Sequence, residues 1–559
     1  MKSAGFFFIV HFLWCFGTLK AQFTQPLPIP DTLSGPIFSL NFAEGQKNLL
    51  PGSPTNTYAY NGAGFLGPTL IIKRGMAIEA TVTNQTTDTT TLHWHGLHVP
   101  AHADGGPHSP ILPAQVWEPH FNCLDRAGTY WYHPHFHGKT GKQTLKGGAG
   151  LILVRDAEEG LLPLPRTYGK DDFPMILQSL EFGPDNQILP LGLRDSIVLV
   201  NGQTNPYADV PAQWVRFRVL NASNARNFWL GFQDNRTFSL IGTDGGLLGR
   251  PVAVTRIKLA PGERAECMVN FTGLSGQTLY WKSFGSEIPV GTQGGPLGPM
   301  PIGSPSMESP LNGTDFQVLQ LRVGPAIPGN NTTLPDSLVI QRRLREQDAD
   351  GERTVVFSSA VPGSPLGPFL VNDSSFSMER IDFRIPINRT EIWTIHNQTV
   401  VAHPFHLHGF TFYILDRYGS PVGPEEAGRK DMVQLSPNEL VRIMVRFTDF
   451  ADSTMPYMFH CHILTHEDEG MMGQFLVTQG TVGLRSKEQN QNFTIRNPIA
   501  DKLFVSGEKD QKYRIGTLQG QILYEGIVPE EGLPVANWPG GMLWIQNSNG
   551  QTRLGIRKP

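Results

Sequence analysis

The sequence predicts an all-β chain built from several β-sandwich modules in series. Three observations carry that. First, Gly 60 and Pro 45 in 559 residues make the chain rich in turn formers, which suits many short strands. Second, short apolar runs, alternating or continuous, recur along the chain, the pattern of half-buried or fully buried strands. Third, no long run with a 3.6-residue period competes. At about 150 residues per domain the length predicts three or four domains.

In chain order, residues 1–21 read as an export signal: Lys2, then the apolar core Phe6 to Trp14, then the small Ala21. The core is shorter than the ~20 residues of a membrane span. Residues 26–155 hold runs such as Thr69-Leu70-Ile71-Ile72 and Ala149 to Val154. Residues 165–325 follow a linker marked by Pro163 and Pro165, with strands at Phe173 to Gln178, Trp214 to Leu220 and Glu266 to Phe271. The Gly-, Pro- and Ser-rich stretch 285–311 reads as a loop. A third region, 336–482, holds Glu391 to Ile395 and Val441 to Phe447. Residues 490–559 read as a separate small β module.

Net charge is −4. That balance, with no basic run, argues against nucleic acid or an anionic membrane surface as partner. Of the four cysteines, Cys15 belongs to the signal, and Cys123 and Cys267 could pair in an exported protein or stay as buried thiols.

Cys461 sits in Tyr457-Met458-Phe459-His460-Cys461-His462, followed closely by His466, Met471 and Met472. Thiolate with imidazole suits copper or zinc, and one Cys, two His and a weak Met suggest a blue-copper centre. On a strand, Cys461 faces one side and His460 and His462 the other. Ligands on opposite faces of one strand would join two metal centres covalently.

The other histidines answer this pattern. With 17 His in the chain, composition alone predicts about half a His-x-His pair. The sequence has His93/His95, His133/His135, His406/His408 and His460/His462. Two pairs come from the first domain and two from the third, so a shared cluster belongs at their interface. His403, Cys461, His466 and Met471 form the separate sulfur site. His11, His98, His102, His108, His120, His137 and His396 read as surface or signal residues.

The motifs His93-Trp94-His95-Gly96, Trp131-Tyr132-His133-Pro134-His135, His403-Pro404-Phe405-His406-Leu407-His408-Gly409 and His460-Cys461-His462-Ile463-Leu464-Thr465-His466 resemble the four copper motifs of three-domain multicopper oxidases. The resemblance covers about residues 35–480. It implies three cupredoxin-like β-sandwich domains and four copper ions. A type 1 copper would bind His403, Cys461, His466 and Met471, and a type 2 copper His93 and His406. A type 3 pair would bind His95, His133, His135, His408, His460 and His462. It also implies a mechanism: a small-molecule reducing substrate gives up single electrons near His466, and dioxygen is reduced to water by four. Asp104 and Glu467 stand where similar enzymes carry acids that relay protons.

His93 to Gly150 looks closest to the periplasmic cuprous oxidases. Those enzymes carry a Met-rich segment, and an Asp and Met just before the third-domain type 1 His. Here that approach is Thr399-Val400-Val401-Ala402-His403, and 285–311 holds only Met300 and Met307. Lack of soft ligands favours phenols, aromatic amines or bilirubin-like pigments over Cu(I). The alternatives are a cuprous oxidase in copper tolerance, a copper-binding electron carrier, and a copper-free scaffold of the same fold. The intact ligand set argues against the last two. Finally, Asn497-Pro498, Asp501 to Val505, Tyr513-Arg514-Ile515 and the basic last strand resemble C-terminal sorting domains of type IX secretion. That resemblance implies a β-sandwich sorting module, a secretion-machinery partner, and a cell-surface or secreted enzyme.

Overall fold

Side-chain alternation builds the first sandwich. In the strand Ile37–Lys47, Phe38, Leu40 and Phe42 are buried while Ile37 and Ser39 are exposed, and in Ala77–Asn84 the buried set is Ile78, Ala80, Val82 and Asn84. Such a period of two gives each strand one apolar face. These two strands lie side by side with Thr55–Tyr60, Val116–Trp117 and His120–Asn122 in one sheet. The facing sheet runs Thr32–Ser34, Thr69–Lys73, Gly150–Arg155, Gly128–Tyr132. Both contribute to one core, with Leu40, Val82, Ile72 and Ile152 among its members.

This computed structural model describes residues 23–189, 194–296, 309–329 and 332–480, and in the C-terminal part 494–495, 499, 501–506, 511–517, 521–548 and 552–557. The expected signal 1–21, Met300, Met307 and Asn497-Pro498 lie outside the described residues.

The second sandwich packs a six-stranded sheet on a seven-stranded one. At the middle of the larger sheet, every residue of Asp172–Leu180 is buried. Phe173, Met175 and Leu177 face the core of this sandwich. Ile176 and Leu180 face the other way, into a separate core shared with Phe65, Trp131 and Leu151. The first two sandwiches are thus joined by apolar burial. The strand Gln25–Pro26 crosses over as well, pairing in parallel with Pro206–Pro211.

The third sandwich pairs a six-stranded sheet with a five-stranded one, ordered Phe383–Pro386, Met472–Thr478, Tyr457–Cys461, His403–Leu407, Met432–Leu435. The chain from Met1 to Gly480 forms one compact unit, and Thr481–Pro559 forms another. In the latter a four-stranded sheet, Ile522–Ile527, Lys512–Thr517, Gly541–Asn547, Thr552–Arg557, contributes to a core with Leu503, Ile515 and Ile545. The all-β expectation holds. Among the described residues no helix is long and apolar enough to cross a membrane.

Cys123 and Cys267 do not pair. Both are buried free thiols, one in the first core and one in the second, so each serves as a small apolar side chain.

Candidate metal centre

The strand Tyr457–Cys461 lies between two partners. Phe405 is opposite Cys461 and His406 opposite His460 across one edge, and Met472 is opposite His460 across the other. Register then sets direction. Phe405, Phe459, Cys461 and Phe475 turn into the third core, and His460 turns away from it, as alternation requires.

On the core side the Cys461 Sγ lies 3.4 Å from His403 Nδ1 and 3.8 Å from His466 Nδ1. His466 rides on the short helix Leu464–Asp468. The return loop is pinned by Met471 N–H to the His466 carbonyl at 2.9 Å and Cys461 N–H to the Met471 carbonyl at 3.1 Å. Met471 is fully buried in the same core as Cys461. His403 Nε2 meets the Thr399 hydroxyl at 2.9 Å, which leaves its Nδ1 for the sulfur site. Burial pushes the Cys461 thiol up, so a metal must displace its proton on binding.

On the far side the eight paired histidines converge, all of them buried. A bridge between His93 and His133 brings the two first-domain pairs together. Ligand atoms within 4.8 Å of one another group as His93, His95, His406; as His95, His133, His462; and as His135, His408, His460. In the last group the Nε2 atoms stand 3.1 to 3.2 Å apart.

The outer nitrogens are held. His93 Nδ1 meets the Asp104 carbonyl, His133 Nδ1 that of Pro134, His406 Nδ1 that of Asp431 and His460 Nδ1 that of Cys461, at 2.8 to 3.0 Å. His408 Nδ1 meets Asp104 Oδ2 at 2.8 Å. Each donates its proton outward and keeps an inward lone pair. His95 is turned the other way: its Nε2 faces Asp431 Oδ1 at 3.2 Å, and its Nδ1 lies 3.3 Å from His133 Nε2.

Burial first, then the neighbouring imidazoles, push His95, His135, His406, His408 and His462 well below the ordinary imidazole range. Burial brings His460 down to about 3. These rings are neutral, the form that binds metal. His93 Nε2, His406 Nε2 and both nitrogens of His462 are buried with no hydrogen-bond partner. Orphaned buried acceptors are costly, and a metal ion satisfies them. The donor set therefore fits copper: thiolate plus imidazole at one centre, imidazole alone at the other.

Of the two acids expected near the cluster, Asp104 holds His408 and lies 3.5 Å from His93 Nδ1. Glu467 is buried with its carboxylate oxygens 3.4 Å from His135 Nδ1 and 3.2 Å from His460 Nδ1. Burial, and next the charge of Asp468, push its carboxyl well above the usual range.

Sequence reasoning missed four positions. Asp431 supports His95 through its side chain and His406 through its carbonyl. Arg264, from the domain that supplies no ligand candidate, grips Asp431 with both forks at 2.7 and 2.5 Å. Asn224, also from that domain, caps the His466 helix by accepting from Thr465 N–H at 3.1 Å. Thr399 orients His403. The one local trace is Gly96. Its φ is +90°, and a Cβ there would stand 2.5 Å from Arg264 Nη2 and 2.6 Å from Asp431 Oδ2. His98 is also not the surface residue expected; it links Gly409 and Asp449 of the third domain.

Comparison with known proteins agrees with this geometry. Two family models described as multicopper oxidase match residues 41–159 and 330–481. The multicopper oxidase mco of Staphylococcus aureus is 30% identical over 79% of this chain and 88% of its own length. The cell division protein FtsP of Sodalis glossinidius is 33% identical over 83% and 95%. The solved structure of the laccase-like multicopper oxidase CueO of Ochrobactrum sp. superposes with a TM-score of 0.71 at 31% identity, covering 81% of this chain and all of that one.

The chain belongs to the multicopper oxidase family. It is an oxidoreductase of cupredoxin-like fold, and copper is the metal that its family implies.

Proposed function

We propose that this protein oxidises phenols or aromatic amines one electron at a time and reduces dioxygen to water. His403, Cys461, His466 and Met471 would hold a type 1 copper. His93 and His406 would hold a type 2 copper. His95, His133 and His462 would hold one ion of a type 3 pair, and His135, His408 and His460 the other. Copper in these places supplies single-electron acceptance at the sulfur centre and four-electron reduction of dioxygen at the histidine cluster.

The observation that carries the substrate class is a cavity of about 60 Å³ beside His466. Its wall is largely apolar, with Pro365, Leu366, Val401, Ala402 and Ile463, and no Met or Cys is among the described residues lining it. An aromatic donor docking there would meet apolar surface, and among the described residues no soft ligand for Cu(I) lines the cavity. His466 is half-buried and lines the cavity, beside the place where a donor would dock. Cys461 joins that site to His460 and His462 through single peptide units, at about 3.3 Å per residue. The Glu467 carboxyl faces His135 and His460 and Asp104 holds the His408 ring, which supports both as proton relays to the cluster.

Steady-state kinetics of the copper-loaded chain on a phenol, bilirubin and Cu(I), side by side, test the reading. Faster turnover of an organic donor is expected. A preference for Cu(I) would make it a cuprous oxidase, and a colourless protein without oxygen uptake would make it a scaffold. The sorting role of residues 490–559 rests on sequence resemblance, and an exported location rests on the signal reading of residues 1–21 as well; finding the mature enzyme outside the cell and shortened at its C-terminus would support them.

A further inference from the structure

Arginine dominates the wall of a second cavity in the main unit, of about 550 Å³. Arg74, Arg126, Arg342, Arg343, Arg429 and Arg446 line it, against three carboxylates. None of the copper-ligand candidates borders it. Arg342 and Arg343 are neighbours in the chain; the other four come from separate stretches, so the fold gathers the group on a chain of net charge −4.

The carboxylates in the wall are already engaged. Asp125 accepts from the His98 main-chain N–H at 3.0 and 3.2 Å. Asp449 accepts from His98 Nε2 at 2.9 Å. Asp348 is held by the Arg345 fork at 3.0 and 2.9 Å. Of the six arginines, Arg126 reaches Glu158 at 3.7 Å; among the described residues the other five make no ion pair within 4.0 Å. Two of them are held in place. Arg343 and Arg429 flank the Tyr413 ring at 5.3 and 5.7 Å from its centre. Arg429 Nε also donates to the Tyr413 hydroxyl at 3.0 Å, and Arg343 Nη2 to the Ala427 carbonyl at 2.8 Å. A guanidinium has five N–H donors, so most of each fork is left for a ligand. Like charges gathered in a cleft focus its field, and guanidinium forks match oxyanions two bonds at a time.

We propose that this cavity binds an oligoanion, a linear molecule carrying three or more closely spaced oxyanion groups. The site is separate from the oxidase centre and does not depend on the identity of its donor.

Calorimetry on the copper-loaded full chain at low salt tests this, using trigalacturonate and tripolyphosphate, with galacturonate and orthophosphate as single-anion comparators. The blue absorbance, read in parallel, reports whether copper stays bound. At least one oligoanion should bind about tenfold or more tightly than its comparator, and the double reversal Arg342→Glu with Arg343→Glu should weaken it by about tenfold or more. Arg236→Glu with Arg384→Glu, an equal charge change away from the cavity, should leave it unaltered. Whichever oligoanion binds more tightly identifies carboxylate or phosphate as the group recognised. Neither binding better than its comparator would overturn the proposal. So would equal weakening by the two double variants, which would mean attraction to overall charge alone.

Discussion

Asp431 shows how one buried residue can hold two ligand candidates, one through its side chain and one through its main chain. Its carboxylate faces His95 Nε2 and its carbonyl faces His406 Nδ1, while Arg264 neutralises it. The direction of the His95 ring follows from that contact, because the nitrogen that donates outward cannot also bind inward. Asp431→Ala would leave the buried Arg264 with only the longer 3.8 Å pairing to Asp244 and should cost about 3 kcal/mol of stability. The double variant Asp431→Leu with Arg264→Met removes both charges and should fold, since replacing a buried pair by apolar residues is often close to neutral. It should still lose about 10–100-fold in metal affinity at the cluster, read as copper per chain and as the electron paramagnetic resonance spectrum. Asp104→Asn makes a different prediction. Because Asp104 touches His408 and lies beside His93, the change should slow oxygen reduction more than reduction of the proposed type 1 copper. Equal slowing of the two half-reactions in stopped flow would rule out a proton role.

Among elements, the link from His98 to Asp449 ties the loop after the first histidine motif to the third sandwich. Burial works against charge on His98, but its hydrogen bonds to Asp449 and the Gly409 carbonyl raise its pKa above the usual imidazole value. The same bond, ahead of an opposing burial effect, holds Asp449 down to about 2. A raised imidazole stabilises the fold below its unfolded pKa of about 6.5, and that stability is lost as pH rises through the folded value. A depressed carboxylate stabilises it above about 3.9, and that is lost as pH falls towards the folded value. The link is therefore strongest between about pH 4 and 6.5. Asp449 is 48% exposed, so solvent screening keeps the gain below about 1 kcal/mol. Asp449→Asn should lower the melting temperature at pH 5.5 and change it little at pH 9.

For the whole molecule, the division after Gly480 is the main feature. Every ligand candidate lies before it, and the tail has its own core of Ile499, Leu503, Ile515 and Ile545. A chain ending at Gly480 should bind copper and turn over at the rate of the full chain. A loss of more than about half the activity, with copper content unchanged, would show that the tail supports catalysis.

The histidine pairs and Cys461 were legible because their chemistry is local. Alternate side chains on a strand point the same way, so His460 and His462 had to part from Cys461 wherever the strand lay. The strands were legible for the same reason, as Phe38, Leu40 and Phe42 show. Arg264 meets Asp431 across 167 positions and His95 meets it across 336, and no periodic signal spans such distances. The separation of Cys123 from Cys267 and the gathering of arginines around Tyr413 likewise depend on how the sandwiches dock. The sequence by itself determined the fold class and the ligand types, because alternation and donor chemistry act over a few residues. Only the tertiary structure decided which nitrogen each ring turns inward, what lies behind it and what walls the cavity beside His466, because buried charge and shape depend on every element packed around them.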